Sequence, residues 1–184
     1  MKVKEMVLIP LFTALIAVGA YIRVPVPVCP FTLQFLFTTL AGMLLGPKNG
    51  TYSVILYVLL GLAGVPVFTG GGGISYVLQP TFGYLLGFCA GTWVTGTLIR
   101  RGAPTIWRMA AGAFCGLLVV YAAGMAYYWA ISQFWLGTPI GLWPLSLYCF
   151  LLAVPGDLAL CVVSAGLAHR LLPILHRSTV TGGN

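Results

Sequence analysis

The chain has 184 residues, 60% of them hydrophobic and 6% charged, with a net charge of +7. Soluble domains carry about 25% charged residues, so this composition points to an integral membrane protein and excludes an ordinary water-soluble enzyme. Its basic residues lie at the ends of apolar runs, a pattern of membrane orientation rather than of nucleic-acid binding.

At roughly 20 residues per helical crossing, the length accommodates about six helices and no separate soluble domain. The fold class expected is all-α, a single membrane domain over residues 1–184. The first span is residues 6–22. Lys2 and Lys4 ahead of an apolar run resemble a signal peptide, but everything downstream is also apolar, so an uncleaved first helix is expected. Thr13, Ala17 and Ala20 put small side chains on one face of this helix, where a partner helix can approach closely. A connector at 23–30, stiffened by Pro25, Pro27 and Pro30, reads as extended.

The second span, 31–46, opens with Thr32 and Gln34. Residues 46–50 form a tight turn, and the third span is 51–63. Residues 61–87 then break the pattern. Pro66 and Pro80 remove backbone donors, and Gly70, Gly71, Gly72 and Gly73 remove side chains, so this stretch cannot be a membrane helix. It is also too apolar for a solvated linker. Irregular backbone at membrane depth is tolerated where it is packed in protein or lines a cavity, so the stretch is expected to be a lid or pocket-forming loop.

The fourth span, 81–99, starts after Pro80. The fifth, 107–134, carries Gly112, Gly116 and Gly124, then an aromatic cluster with Tyr121, Tyr127, Tyr128 and Trp129, part of it expected in the interfacial belt. The sixth, 142–172, is interrupted by Pro155 and Gly156. Six spans place both termini on one side together with Lys48, Arg100, Arg101, Arg108, Arg170 and Arg177. Arg23 alone falls on the other. Positive charge marks the cytoplasm, so the termini are expected there and the glycine-rich loop outside.

Asp157 is the only acidic residue after Glu5. Placed midway along the sixth span, it costs about 2.5–3.5 kcal/mol on insertion scales and needs a partner. A ligand N–H, backbone donors or a neutralising proton would each serve, and a neutral structural Asp at a kink is the alternative. Pro155 frees a carbonyl one turn earlier in such a helix. Gln34 is a polar group that serves a ligand or a helix–helix hydrogen bond. Tyr84 and Tyr128 each offer a ring face and a hydroxyl to a ligand, or sit in the belt. Arg23 either attracts an anionic ligand or snorkels. With Gly71, Gly72, Gly73 and Ser75 of the loop, Asp157, Gln34, Tyr84 and Tyr128 make up the candidate ligand-binding set.

Catalysis is not expected. A nucleophilic Ser75 needs a base within reach, and His169 and His176 lie across the membrane from it. There is no HExxH motif and no GxxxxGK[ST] loop to cradle ATP. The five cysteines, Cys29, Cys89, Cys115, Cys149 and Cys161, have no CxxC spacing and read as buried small hydrophobes rather than metal ligands.

Five motifs in order, PFTLQ (30–34), GMLLGPK (42–48), GLAGVPVF (61–68), PTFGY (80–84) and VPGD (154–157), resemble the BioY family. BioY proteins are the biotin-specific substrate-binding (S) components of energy-coupling factor (ECF) transporters. The resemblance implies a six-helix receptor in a prokaryotic plasma membrane that captures biotin from outside. It would dock on a transmembrane coupling subunit that carries two ABC-type ATPases, topple in the bilayer and release the vitamin inward. No cofactor is implied, and ATP would bind only the partner subunits. Asp157 would accept from the ureido N–H groups, residues 70–73 would close over the ligand, and Gln34 and Tyr84 would line the cavity. The Thr13, Ala17 and Ala20 face would be the surface used against the coupling subunit. Relatives commonly carry a Lys three residues after the Asp, where this chain has Leu160, and some carry an Asn in the glycine run. The rival readings are a receptor for another acidic vitamin such as lipoate, a standalone carrier using Asp157 as a proton relay, and a structural subunit.

Overall fold

In a computed structural model, residues 3–24, 31–137, 141, 143 and 153–180 are described. Five helices account for most of them: α1 (Val3–Tyr21), α2 (Gln34–Leu62), α3 (Phe82–Arg100), α4 (Ile106–Phe134) and α5 (Val154–Val180). Two-residue strands β1 (Arg23–Val24) and β2 (Phe31–Thr32) pair antiparallel, so the expected extended connector is closed at its base into a small hairpin. Its tip, with Pro25, Pro27 and Pro30, lies outside the described residues. The architecture is otherwise helical. Among the described residues, three segments are long and apolar enough to cross a membrane: Phe82–Arg100, Ile106–Phe134 and Val154–Leu175.

α2 is two helices joined at Gly46, which adopts φ +83°. The expected turn over 46–50 is thus a one-residue break, with Pro47 entering the second arm where a missing N–H costs nothing. The break strands the Leu45 carbonyl, and the Arg100 guanidinium takes it at 3.2 Å. The arms, residues 34–45 and 47–62, run in opposite directions. The chain therefore alternates between two ends. One holds the hairpin, the 61–87 stretch and the start of α5. The other holds the Gly46 break, the α3–α4 turn and the last turns of α5. Arg108 donates to the Leu98 carbonyl at 2.9 Å there, a cation on the carbonyl end of α3 as the helix dipole favours.

Close backbone approach builds the bundle. Gly83, Gly87 and Gly91 recur every four residues and form one stripe of α3 against α4. A Cβ at Gly87 would stand 2.9 Å from Val120 Cα, and one at Gly91 would stand 2.8 Å from the Gly116 carbonyl oxygen. The Thr95 hydroxyl then bonds the Gly112 carbonyl at 3.0 Å. In apolar surroundings, such packing and interhelical hydrogen bonds do the work that hydrophobic burial does in water.

Two expectations are corrected here. Thr13 donates to the Ser53 carbonyl of α2 at 2.9 Å, and Ala20 is fully buried. The small face of α1 is used inside the chain, against α2, with Ala17 half-buried beside it. The outer face of α1 presents Met6, Val7, Leu11 and Val18 instead. The second correction concerns the last helix. α5 starts at Val154, so Pro155 sits in its first turn and does not kink it, and Asp157 lies in the first turn rather than midway. A first-turn proline frees no carbonyl within the helix, and a carboxylate there is favoured by the helix dipole. The earlier part of the expected sixth span lies outside the described residues, except Trp143.

Candidate ligand-binding site

Of the 61–87 stretch, residues 63–81 fold into a cap between α2 and α3, while its two ends belong to those helices, since Gly83 and Gly87 serve helix packing rather than a turn. Phe68 and Gly71 exchange two backbone hydrogen bonds at 2.9 and 3.1 Å, making a tight turn of the glycine run. The Gly73 N–H returns to the Gly61 carbonyl at 2.7 Å. A 3₁₀ turn, Ile74–Leu78, follows and was not anticipated from the sequence. Phe68, only 1% exposed, plugs the cap into the bundle. It packs edge-on to Tyr57 with centroids 5.5 Å apart, and against Tyr76 at 4.5 Å.

Four further hydrogen bonds fasten the cap. The Tyr57 hydroxyl donates to the Val67 carbonyl at 2.9 Å and the Tyr127 hydroxyl to the Val77 carbonyl at 2.5 Å. Arg23 Nη1 donates to the Thr69 carbonyl at 2.8 Å, and the Tyr21 hydroxyl donates to the Pro66 carbonyl. Arg23, an exposed side chain, is therefore tied to the cap.

Beneath the cap is a cavity with about 660 Å³ of free space, counting its mouth. Its wall is apolar and aromatic (Phe35, Tyr76, Tyr84, Phe88, Val120 and Tyr121 among others), with few polar groups: Thr32, Gln34, Thr69, Thr81 and Asp157. Asp157 is 9% exposed, and its Oδ2 accepts from the Tyr121 hydroxyl at 2.5 Å. Gln34 is buried at the start of α2, and its Nε2 donates to the Tyr57 hydroxyl at 2.7 Å. No group of three His, Cys, Asp or Glu side chains that would hold a metal occurs among the described residues.

Three of the eight candidate ligand residues, Asp157, Gln34 and Tyr84, meet on this wall although they come from three different helices. Gly71, Gly72 and Gly73 supply the cap's backbone, and the cap side chains that reach the cavity are Thr69 and Tyr76. Ser75 is exposed, while Tyr128 is half-buried against the core without reaching the wall. Leu160 is likewise packed at the edge of the core.

Tyr121 was the residue the sequence reading passed over, grouped there with the aromatic belt. A signal existed: Leu117, Val120, Tyr121 and Gly124 are buried at i, i+3, i+4 and i+7, one face of α4. Trp129 of the same cluster is exposed, as are Phe134 and Trp135 just beyond it. Gly124 leaves room for the Tyr84 ring, which meets Tyr121 edge-on at 6.4 Å.

The BioY family model matches residues 1–177. A probable biotin transporter BioY of Lysinibacillus sphaericus is 44% identical over 171 residues, covering 92% of this chain and 87% of the relative. The biotin transporter BioY of Rhodobacter capsulatus is 35% identical over 178 residues, covering 92% and 93%. Among solved structures, the S-component for biotin from an ECF-type ABC transporter superposes with a TM-score of 0.78 at 28% identity, covering 92% of this chain and 91% of that one. Both sequence and fold thus agree along nearly the whole length, and the chain belongs to the BioY family.

Proposed function

We propose that this protein is a membrane-embedded substrate-binding component that captures biotin from outside the cell and delivers it inward together with an ATP-driven ECF module. The observation that carries this reading is the buried Asp157 carboxylate on an aromatic cavity wall, held by the neutral Tyr121 hydroxyl on one oxygen. A carboxylate so placed has acceptor capacity left for the N–H edge of a urea. The flat bicyclic body of biotin suits the aromatic wall, and Gln34 adds a second polar contact. The names of the relatives and of the structural neighbour support the same ligand and the ECF class of partner.

The orientation follows from charge. Lys48, Arg100, Arg101, Arg108 and Arg170 sit toward the end opposite the cavity, so that end is cytoplasmic and the cavity faces outside. Both described chain ends lie on the cytoplasmic side. Counting the two arms of α2 separately, six helical rods among the described residues fit a multi-pass protein of a prokaryotic plasma membrane. A coupling subunit and two ATPases supply the energy, since this chain carries no phosphate-binding loop.

Calorimetric titration of biotin into the detergent-purified protein, beside lipoate and an Asp157→Asn variant, tests the reading. Saturable one-site biotin binding is expected, weakened by about 2 kcal/mol, roughly thirtyfold, in the variant. Lipoate, which lacks the urea, is expected to bind poorly to both. Full biotin affinity in Asp157→Asn removes the carboxylate from the site, and no biotin binding to the parent chain overturns the ligand.

A further inference from the structure

Biotin has a second polar end, a carboxylate on a flexible tail, and the cavity wall has no cation to receive it. Its one charged wall residue is Asp157, which repels an anion. The tail must therefore point away from the start of α5, toward the opposite side of the cavity. The wall also carries Thr32 of β2 and Thr69 of the cap. Arg23 joins the two. It stands opposite Thr32 in the hairpin register and donates through Nη1 to the Thr69 carbonyl at 2.8 Å.

The Arg23 guanidinium carries five N–H donors in a fork that matches a carboxylate, and the Thr69 bond uses one of them. Among the described residues no other partner is assigned to the rest. Among the described residues, Arg100 on the Leu45 carbonyl and Arg108 on the Leu98 carbonyl lie at the other end of the bundle. We infer that Arg23 is the carboxylate subsite of the ligand cavity and fixes the direction in which the ligand enters; the hydroxyls beside it are engaged, Thr32 donating to Gln34 Oε1 at 3.3 Å and Thr69 paired with the Tyr76 hydroxyl at 3.0 Å. This rests on the biotin reading and extends it. The urea goes deep to Asp157 and the acid stays at the mouth under Arg23. A ligand bound this way also bridges the hairpin to the cap through the guanidinium, so recognition of the acid and closure of the cap share one residue.

The test is a cycle of two ligands and three proteins. Biotin and its neutral amide are titrated into the parent chain, Arg23→Gln and Arg23→Lys. The parent is expected to prefer biotin over the amide by about three- to tenfold, as a charge-assisted bond at a partly exposed site allows. Arg23→Gln should erase that preference by weakening biotin while leaving the amide nearly unchanged, and Arg23→Lys should restore part of it. Amide binding doubles as the check that each variant is folded. A purely structural latch would weaken both ligands equally in Arg23→Gln, and that result overturns the inference. So does a parent chain that binds both ligands with equal affinity, which leaves the biotin reading intact. Failure of the parent to bind either ligand overturns both. Should Arg23→Gln not fold, Arg23→Lys serves alone: a reduced preference with amide binding nearly unchanged supports the inference, and equal weakening of both ligands overturns it.

Discussion

Glycine is used in the α3–α4 seam and at Gly71 of the cavity cap for opposite reasons. In the seam, Gly87 and Gly91 lie within regular helix, and the absent side chain lets another backbone come within van der Waals contact. In the cap, Gly71 sits at φ +116° with nothing within 4 Å of where a Cβ would be, so its backbone angle matters and its space does not. The seam is held by dry packing around every glycine. The cap is held by single polar latches, Tyr57, Arg23, Tyr21 and Tyr127, plus one aromatic plug. The two kinds of contact differ in how they yield: many small contacts resist separation, while a few hydrogen bonds open as a unit.

Substitutions that fill space or cut a latch separate the two regions. Gly91→Leu drives a side chain into the Gly116 carbonyl and should have the largest effect, about 3 kcal/mol of stability. It should appear as a lower thermal midpoint in detergent and faster amide exchange throughout α3 and α4. An unchanged midpoint would mean that the seam yields and that the contrast with the cap is false. Tyr57→Phe keeps the ring against Phe68 but removes the bonds to Gln34 and Val67. It should cost about 1–2 kcal/mol, seen as faster exchange in residues 64–73 and faster ligand release, with the seam unaffected. Gly71→Ala should cost about 1 kcal/mol through backbone strain alone. Its signature is cap exchange that quickens without any change in thermal midpoint. Equal effects on cap and seam would break the comparison.

Much of the site was legible because its residues are out of place in an apolar chain. Gln34 and Asp157 are polar groups with no cheap location except a cavity, and the prolines and glycines of 61–87 leave no helical alternative. Tyr121 was not legible by the same logic, since a tyrosine near a helix end is equally at home in a membrane interface; only α5 crossing beside it turns its hydroxyl into the partner of Asp157. Thr13 and Ala20 carried an ambiguity of another kind. A small helical face invites a neighbour without saying whether that neighbour belongs to the same chain, and the second arm of α2 occupies it here. Pro155 fits both a mid-helix kink and a first turn, and the start of α5 at Val154 decides between them.

The sequence by itself determined the class of molecule, the end of the bundle where charge collects, and the stretch that had to be irregular. Each follows from local rules: hydropathy and length for the helices, side-chain charge for the ends, missing donors and missing side chains for the cap. Only the tertiary structure decided which hydroxyl meets the carboxylate, which carbonyl Tyr57 latches, and which cavity side chain Arg23 stands beside. Those pairings join residues 10 to 46 positions apart along the chain. Their partners are set by helix rotation and close backbone approach, quantities that no single segment encodes alone.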